Sequence, residues 1–201
     1  MSTRAMVERS KQVKSLGYTG LHAFLFVDHA DAAKGSLREL LADAWHHCHF
    51  ESGQVLFAHE FVGPFLGFAH LRAAKDDLEG LEGLLEELRD RGVGCSVAIE
   101  TRGYVNTQGT PMSVKRMPCE VVGLVKIWTK RKRTRRVLQS LGDNLGPQFR
   151  GASLVVGDFD ILLEVQATKL LPLARLVNRR VRDWPGVERI EAGFADMRNE
   201  P

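Results

Sequence analysis

Histidines are the residues of this chain best suited to metal or acid–base chemistry, and they are unevenly distributed. All seven lie between positions 22 and 70 of the 201 residues. His59 and His70 are diagonal neighbours on one face of a predicted hairpin, about 7–8 Å apart at Cα. Such a pair in a half-buried cleft can serve as acid–base groups or ligands. The favoured interpretation is two hydrogen-bonded histidines without chemistry, since two ligands do not define a metal site.

A second group, His46, His47, Cys48 and His49, lies at the end of a predicted helix. Imidazole and thiolate are ligands for zinc, copper or haem iron. Adjacent residues point in different directions, however, and histidine at a helix C-terminus is favoured by the helix dipole alone. We predict no specific cofactor, with haem or a metal as the possibilities to test. The candidate ligands are His46, His49, His59 and His70.

Two carboxylates at a predicted hairpin turn form the third candidate site. Asp158 and Asp160 could bind an ammonium group while backbone groups of the turn orient the ligand. A Gly-Asp pair is also ordinary turn sequence, because glycine tolerates positive φ and aspartate bonds its own backbone. The candidate ligand-binding residues are Gly157, Asp158, Phe159, Asp160, Ser153 and Glu164. No catalytic residue is predicted.

The run from Lys126 to Arg136 is strongly basic. Cations at the start of the helix that follows oppose its dipole, which favours a partner over a simple solvated loop. Nucleic acid is one possible partner, with steep salt dependence. An acidic surface of the protein itself is the other and the preferred one. The predicted contacts are Lys130, Arg131, Lys132, Arg133, Arg135 and Arg136; the acidic residues are Asp76, Asp77, Glu79, Glu82, Glu86, Glu87 and Asp90.

Hydrophobic period and turn residues predict the elements that position these groups. In the first half we predict strands at 21–27, 54–62, 65–73 and 94–101, and a hairpin about Gly63-Pro64. One helix begins at the S-x-x-E capping box of Ser36 and Glu39, and a second carries an apolar stripe from Leu78 to Leu88. The order is β-α-β-β-α-β, the ferredoxin-like unit.

The second half repeats this order. Strands are predicted at 121–128, 149–156, 159–167 and 187–194, with helices through Val137–Leu145 and Leu170–Val181. A constant offset of 94 positions lays Val62-Gly63-Pro64-Phe65 on Val156-Gly157-Asp158-Phe159, and Gly92-Val93 on Gly186-Val187. We interpret this register as an internal duplication. We expect two tandem ferredoxin-like α+β domains with antiparallel sheets, packed as an intrachain pseudo-dimer.

Composition separates the two halves. Residues 1–101 carry 10 Lys and Arg against 15 Asp and Glu, a net charge of −5; residues 102–201 carry 18 against 10, a net charge of +8. The predicted divisions are a tail at 1–18, a first repeat at 19–101, a linker at 102–118 and a second repeat at 119–196. The polar start and the three unpatterned cysteines predict a cytosolic protein with reduced thiols.

The second repeat resembles the effector-binding domain of the Lrp/AsnC regulators. Gly157, Asp158, Phe159 and Asp160 match the family's G-[DE]-[YF]-D turn, and Trp184-Pro185-Gly186-Val187 is similar to its L-x-PGV corner. In the first repeat Gly63-Pro64-Phe65-Leu66 replaces the acidic turn. The resemblance implies a small effector, often an amino acid, bound near the turn, and sheets that pair between subunits. About twenty residues precede the first strand, so we expect no helix-turn-helix.

Three functions follow. The leading one is a non-enzymatic module that binds an amino-acid-like effector and forms homo-oligomers through sheet and charged-edge contacts, related to transcription regulators. The second is an enzyme resembling the siroheme decarboxylases, in which first-repeat histidines hold a tetrapyrrole or metal. The third is a nucleic-acid-associated protein that uses residues 126–136. No P-loop, G-x-S-x-G, Rossmann fingerprint or C-x-x-C occurs in the sequence, and no ~20-residue apolar run predicts a membrane span.

Overall fold

The computed structural model of the chain describes residues 20–30, 37–47, 53–74, 78–105 and 120–199. Its first half runs β1 (Leu21–Ala30), α1 (Leu37–His47), β2 (Gln54–Glu60), β3 (Gly67–Ala73), α2 (Leu78–Asp90) and β4 (Val93–Val105). The predicted tail, most of the predicted linker, Ser36 of the capping box and His49 lie outside the described residues. The predicted element order is confirmed in this half.

The second half has the same order of elements. It runs β5 (Val121–Thr129), α3 (Thr134–Asn144), β6 (Phe149–Val156), β7 (Ile161–Ala167), α4 (Leu170–Leu176) and β8 (Val187–Asp196). A π-helical turn, Val177–Val181, continues α4 without interruption, which keeps Val177 and Val181 buried on the predicted apolar stripe. The α+β class is therefore confirmed. None of the described helices is long and apolar enough to cross a bilayer.

All eight strands belong to one antiparallel sheet, in the order β2-β3-β1-β4-β6-β7-β5-β8. The halves meet where β4 pairs with β6, from Ile99 opposite Val156 to Val105 opposite Gly151. This pairing explains an error in the predicted boundary of β4. The strand was expected to end at Thr101, but β6 supplies hydrogen-bonding partners that extend it to Val105.

The sheet curls strongly. Strands β1 and β5 are four places apart in the sheet, which would separate them by about 19 Å if the sheet were flat. Yet Lys126 of β5 places its ammonium 4.2 Å from the ring centre of Phe26 on β1. Val62, directly after β2, also exchanges two backbone hydrogen bonds of 2.8 and 3.0 Å with Phe194 of β8. The sheet thus curls until its two edges meet at one point.

Three apolar clusters hold the fold together. Two lie between the helices and the outer face of the sheet, one in each half, around Leu25, Leu84 and Leu88 in the first and Leu141, Leu163 and Val177 in the second. The third, here called the inner core, contains no helix residue and combines both halves. Its members are Phe24, Phe26, Phe61, Phe65, Phe68, Ala98, Leu124, Val155, Phe159, Leu162 and Ala195.

Two-residue turns with Val62 opposite Phe65 and Val156 opposite Phe159 predict, by strand alternation, which residues face the helices and which face inward. This register holds next to the loops, with Leu154 opposite Ile161 and Phe57 opposite His70, and shifts by one residue farther along each hairpin. Pairing stops at Val155, whose N–H donates to Asp160, so the four residues between them leave the strand pattern. Phe159, expected on the helix side, is instead buried in the inner core.

The first-half loop behaves in the same way, because the N–H of Phe61 donates to the carbonyl of Leu66 at 2.8 Å. Phe65, also expected on the helix side, is buried in the inner core. Leu66, expected on the inner face, is 50% exposed. Alternation along a strand predicts which face of the sheet a side chain lies on only while the strand pairing continues. The errors at Phe159, Phe65 and Leu66 all fall where that pairing ends.

Candidate functional site

The predicted effector turn is fastened to the rest of the second half. The carboxylate of Asp160 accepts hydrogen bonds from the N–H of Thr129 at 2.7 Å and from its hydroxyl at 3.0 Å. Its own N–H donates to the carbonyl of Ile127 at 3.0 Å. Asp160 therefore joins the loop to the end of β5, which favours the structural interpretation of this aspartate.

The other residues of the turn point in different directions. Asp158 has an exposed side chain, while its carbonyl accepts a hydrogen bond from the indole N–H of Trp128. Gly157 lies so close to β4 that an added Cβ would be 3.1 Å from the carbonyl of Val97. With Phe159 in the inner core and Asp160 bound to Thr129, the turn presents the exposed carboxylate of Asp158.

Replacement of Asp160 by alanine should lower the free energy of unfolding by about 1–3 kcal/mol. The substitution removes the two charge-assisted hydrogen bonds from Thr129 and leaves the Thr129 N–H without its carboxylate acceptor. Asp158→Ala is the matched control, an exposed aspartate two positions away, with an expected change within about 0.5 kcal/mol. Urea denaturation of both variants measures the difference. Equal effects would contradict the fastening role of Asp160.

Ser153 and Glu164, the remaining predicted ligand-binding residues, are buried on the inner face. The Ser153 hydroxyl donates to Glu100 of β4 across the seam between the halves. Glu164 is 6% exposed, and Nε of Arg150 lies 3.3 Å from its Oε2, an ion-pair distance without hydrogen-bonding geometry. Burial raises the pKa of Glu164 to about 7, although the Arg150 guanidinium acts in the opposite direction.

The ring of His70 is not directed at His59, its predicted diagonal neighbour. Its ring faces His22 of β1, with 2.9 Å between His70 Nε2 and His22 Nδ1. Both histidines are buried, and desolvation is the main cause that lowers the pKa of His22 to about 4 and of His70 to about 3. One neutral ring donates a hydrogen bond to the unprotonated nitrogen of the other. Protonation of that nitrogen would remove the acceptor and break the hydrogen bond.

These buried polar groups share one end of the inner face. Ala23 pairs with Ile99, so His22 and Glu100 follow on adjacent strands one position beyond that pair. Ser153 continues the row on β6, and Glu164 on β7. Burial also raises the pKa of Glu100, with its Ser153 bond acting against that shift. Burial thus disfavours the charged forms of all four titratable side chains in this row, which lines the contact between the halves.

His59 and His46 remain as candidate ligands, and they are separate. His59 is half-buried on β2, with its Nδ1 2.8 Å from the carbonyl of Glu60 and its ring between Phe57 and Phe61. His46 is exposed at the end of α1. Over the described ranges, no three His, Cys, Asp or Glu side chains gather in a way that could hold a metal ion.

His46 does line a groove of about 440 Å³ between α1 and β2. Leu41, Ala42 and Trp45 contribute the helix wall, and Gln54 and Phe57 contribute the strand wall. β2 is the end strand of the sheet, paired along 54–60 with β3 alone in the described structure. The groove therefore combines the indole ring of Trp45, an imidazole and an amide with a strand edge that has backbone groups facing outward.

The basic run divides into a buried residue and an exposed group. Lys126 is 3% exposed, with its ammonium beside Phe26, 3.4 Å from the Ser96 hydroxyl and 3.8 Å from Asp28. It was expected to belong to the charged surface, but strand alternation turns it inward. The six predicted contact residues, Lys130, Arg131, Lys132, Arg133, Arg135 and Arg136, are all exposed.

Sequence reasoning missed the partners of the buried groups. His22 shares the period-2 pattern of Phe24 and Phe26, so its inward direction could have been found from alternation. Its contact with His70 could not, because that contact joins positions 48 residues apart. Nothing in the sequence around Glu100 or Arg150 predicts their contacts with Ser153 and Glu164.

Comparison with known proteins identifies fold relatives only. No protein-family model matches the sequence, and no curated protein matches it. Among solved structures, the chlorite dismutase from Candidatus Nitrospira defluvii in complex with imidazole has a TM-score of 0.52 at 13% identity, over 92% of this chain and 94% of that one. An anthrone oxidase-like protein has a TM-score of 0.52 at 9% identity, over 90% and 92%.

A transcriptional regulator from Neisseria meningitidis, NMB0573 in complex with L-Met, is also similar, at 13% identity over 60% of this chain and 71% of that one. Its TM-score of 0.38 is too low to define a shared fold for the whole chain. The likenesses that extend over the full length thus establish an α+β fold with one eight-stranded antiparallel sheet as the architecture to which this chain belongs.

Proposed function

We propose that the chain is a non-enzymatic binding module that holds a small amino-acid-like molecule in the groove between α1 and β2. The groove carries the proposal, since its volume of about 440 Å³ lies within the range of roughly 300–1,000 Å³ usual for small-ligand pockets. The proposed binding site therefore lies in the first half of the chain, and not at the turn near Asp160 that the sequence predicted.

The lining selects the class of ligand. Trp45 offers a ring face for an apolar or aromatic side chain. Gln54 and His46 offer polar groups at the same groove, and the outer edge of β2 offers backbone N–H and C=O groups to an ammonium and a carboxylate. An amino acid or a close analogue combines these features in one molecule.

The repeated β-α-β-β-α-β order supports a second part of this proposal, that the two halves arose by duplication and act as a fused pseudo-dimer. In this view the first half keeps the binding groove, and the second half carries the Lrp/AsnC-like turn as a structural element. Regulation of transcription would then require a partner that binds DNA.

A thermal-shift screen with single amino acids, imidazole, haem and divalent metals tests the site. A ligand at about 100 times its Kd adds about 2.7 kcal/mol, which corresponds to roughly 5–10 °C in Tm for a chain of this size. We expect an amino acid to give the shift. If none of the amino acids shifts Tm while haem or a metal does, the amino-acid proposal fails.

Filling the groove should abolish that shift. Ala42 is exposed on α1 at the groove, so Ala42→Phe adds a ring there without removing a packed group. Leu171→Phe, at an exposed apolar position on α4, is the matched control and should keep the shift. Isothermal titration of both variants measures affinity. Equal affinity in both would place the ligand elsewhere.

A tetrapyrrole is the second candidate, because His46 lies on the groove wall beside Trp45. One axial histidine is enough to hold haem iron, and haem would supply redox or ligand-binding chemistry when bound. A Soret band on addition of haem that is lost in His46→Ala and retained in His59→Ala would favour this function over the amino-acid proposal.

A further inference from the structure

The six exposed cations of the 130–136 segment are here called the basic surface. None of them forms an ion pair with a carboxylate in the part of the chain that the structure describes. The loop turns sharply at Lys132, which has a left-handed φ of 64°. α3 then begins after Arg133 without a side-chain cap, and its first turn contains no acidic residue.

This arrangement costs stability in the isolated chain. Like charges repel, and cations at the start of α3 oppose the positive end of its dipole. A partner with negative charge would relieve both effects. Trp128 is the aromatic residue nearest to this segment in the sequence. Arg189 lies 3.7 Å from its ring centre, and its indole N–H donates to the carbonyl of Asp158. The surface therefore offers charge without a ring for base stacking.

The same chain carries a complementary group on α2, here called the acidic surface: Glu79, Glu82, Glu86 and Asp90. Spacings of three and four residues place them on one face of the helix, over about 16 Å. All four are exposed. None is ion-paired within the described ranges, whereas neighbouring Glu87 binds Arg91 at 2.7 Å.

We propose that the basic surface of one copy docks on the acidic surface of a second copy. Each chain carries both surfaces, so two copies can form the contact twice about a twofold axis. Complementary charges steer such an association and fix its orientation. The proposal is independent of the groove, which uses none of these residues.

Charge reversal in both directions tests it. Arg135→Glu with Arg136→Glu reverses the basic surface, and Glu82→Lys with Glu86→Lys reverses the acidic surface. All four residues are exposed, and acidic residues in the first turn of α3 favour the helix dipole, so loss of association would not reflect unfolding. Circular dichroism confirms the fold of each variant.

Light scattering coupled to size exclusion measures the assembly. We expect the unmodified chain to form a dimer at about 50 mM salt and to dissociate at about 500 mM, as screening shortens the Debye length. Each double variant alone should be monomeric, while an equimolar mixture of the two should regain the dimer. A monomeric unmodified chain at low salt, or variants that still dimerise alone, would overturn the proposal. So would low-salt binding of duplex DNA that only the arginine variant loses while assembly is unchanged.

Discussion

Phe26→Ala is expected to lower the free energy of unfolding by about 3–5 kcal/mol, the usual cost of removing a fully buried phenylalanine ring. Phe26 has no exposed surface, and its ring packs edge-on against Phe65 at 5.1 Å, Phe68 at 5.2 Å and Phe159 at 5.5 Å. Phe159 belongs to the second half, so the substitution weakens the contact between halves as well as the first half itself.

The ring of Phe26 also supports Lys126, whose ammonium lies over it at 4.2 Å. Phe26→Leu should cost less, since it keeps most of the volume but loses the ring face under the ammonium. Val156→Ala, at an apolar position that is 65% exposed, is the control and should change stability by less than about 0.5 kcal/mol. Urea denaturation decides the matter. A loss below about 1 kcal/mol for Phe26→Ala would show that the inner core does not couple the halves.

Glu164→Gln should stabilise the protein by about 3–4 kcal/mol at pH 8.5 and have little effect at pH 4.5. Burial raises the pKa of Glu164 to about 7 in the folded state, from a usual value of 4.5. Below pH 4.5 both states hold the proton. As pH rises toward 7, the unfolded chain loses it while the folded chain retains it, so stability falls; above pH 7 the deficit is constant. Each pKa unit corresponds to about 1.4 kcal/mol.

Glutamine keeps the shape of the side chain and stays neutral at every pH. The difference in unfolding free energy between the variant and the unmodified chain should therefore grow between pH 4.5 and pH 7, while other titrating groups cancel. Glu79→Gln, exposed on α2, is the control and should give a flat difference. A profile for Glu164→Gln that is flat, or that falls with pH, would mean that the ion pair with Arg150 outweighs burial.

Local pattern predicted the elements well. Leu78, Leu81, Leu84, Leu85 and Leu88 repeat at helical spacing, and the helix occurs at Leu78–Asp90. Strand β6 has the predicted bounds, Phe149–Val156. Helical and strand periods are set by which residues can share one buried face, so they can be detected within a dozen residues. The predicted duplication of the halves remains a proposal.

Long-range contacts were predicted poorly, for a different reason. His70 and His59 were correctly placed on the inner face, yet His70 contacts His22, because the curl of β1 and β3 brings those rings together. The carboxylate of Asp160, expected to face a ligand, bonds Thr129 at the end of a strand that is not its hairpin partner. The groove beside Trp45 exists only because α1 packs next to an end strand.

By itself the sequence determined the type and order of the elements, the register of both hairpins and the opposite charges of the two halves, since each depends on neighbours along the chain or across one turn. Tertiary structure alone decided that β4 and β6 join the halves into one sheet, that this sheet curls, and that Lys126 is buried among aromatic rings. Those outcomes depend on contacts between residues 30 to 133 positions apart. The free energy of these contacts is gained only when the whole inner core closes. No local sequence pattern predicts these contacts.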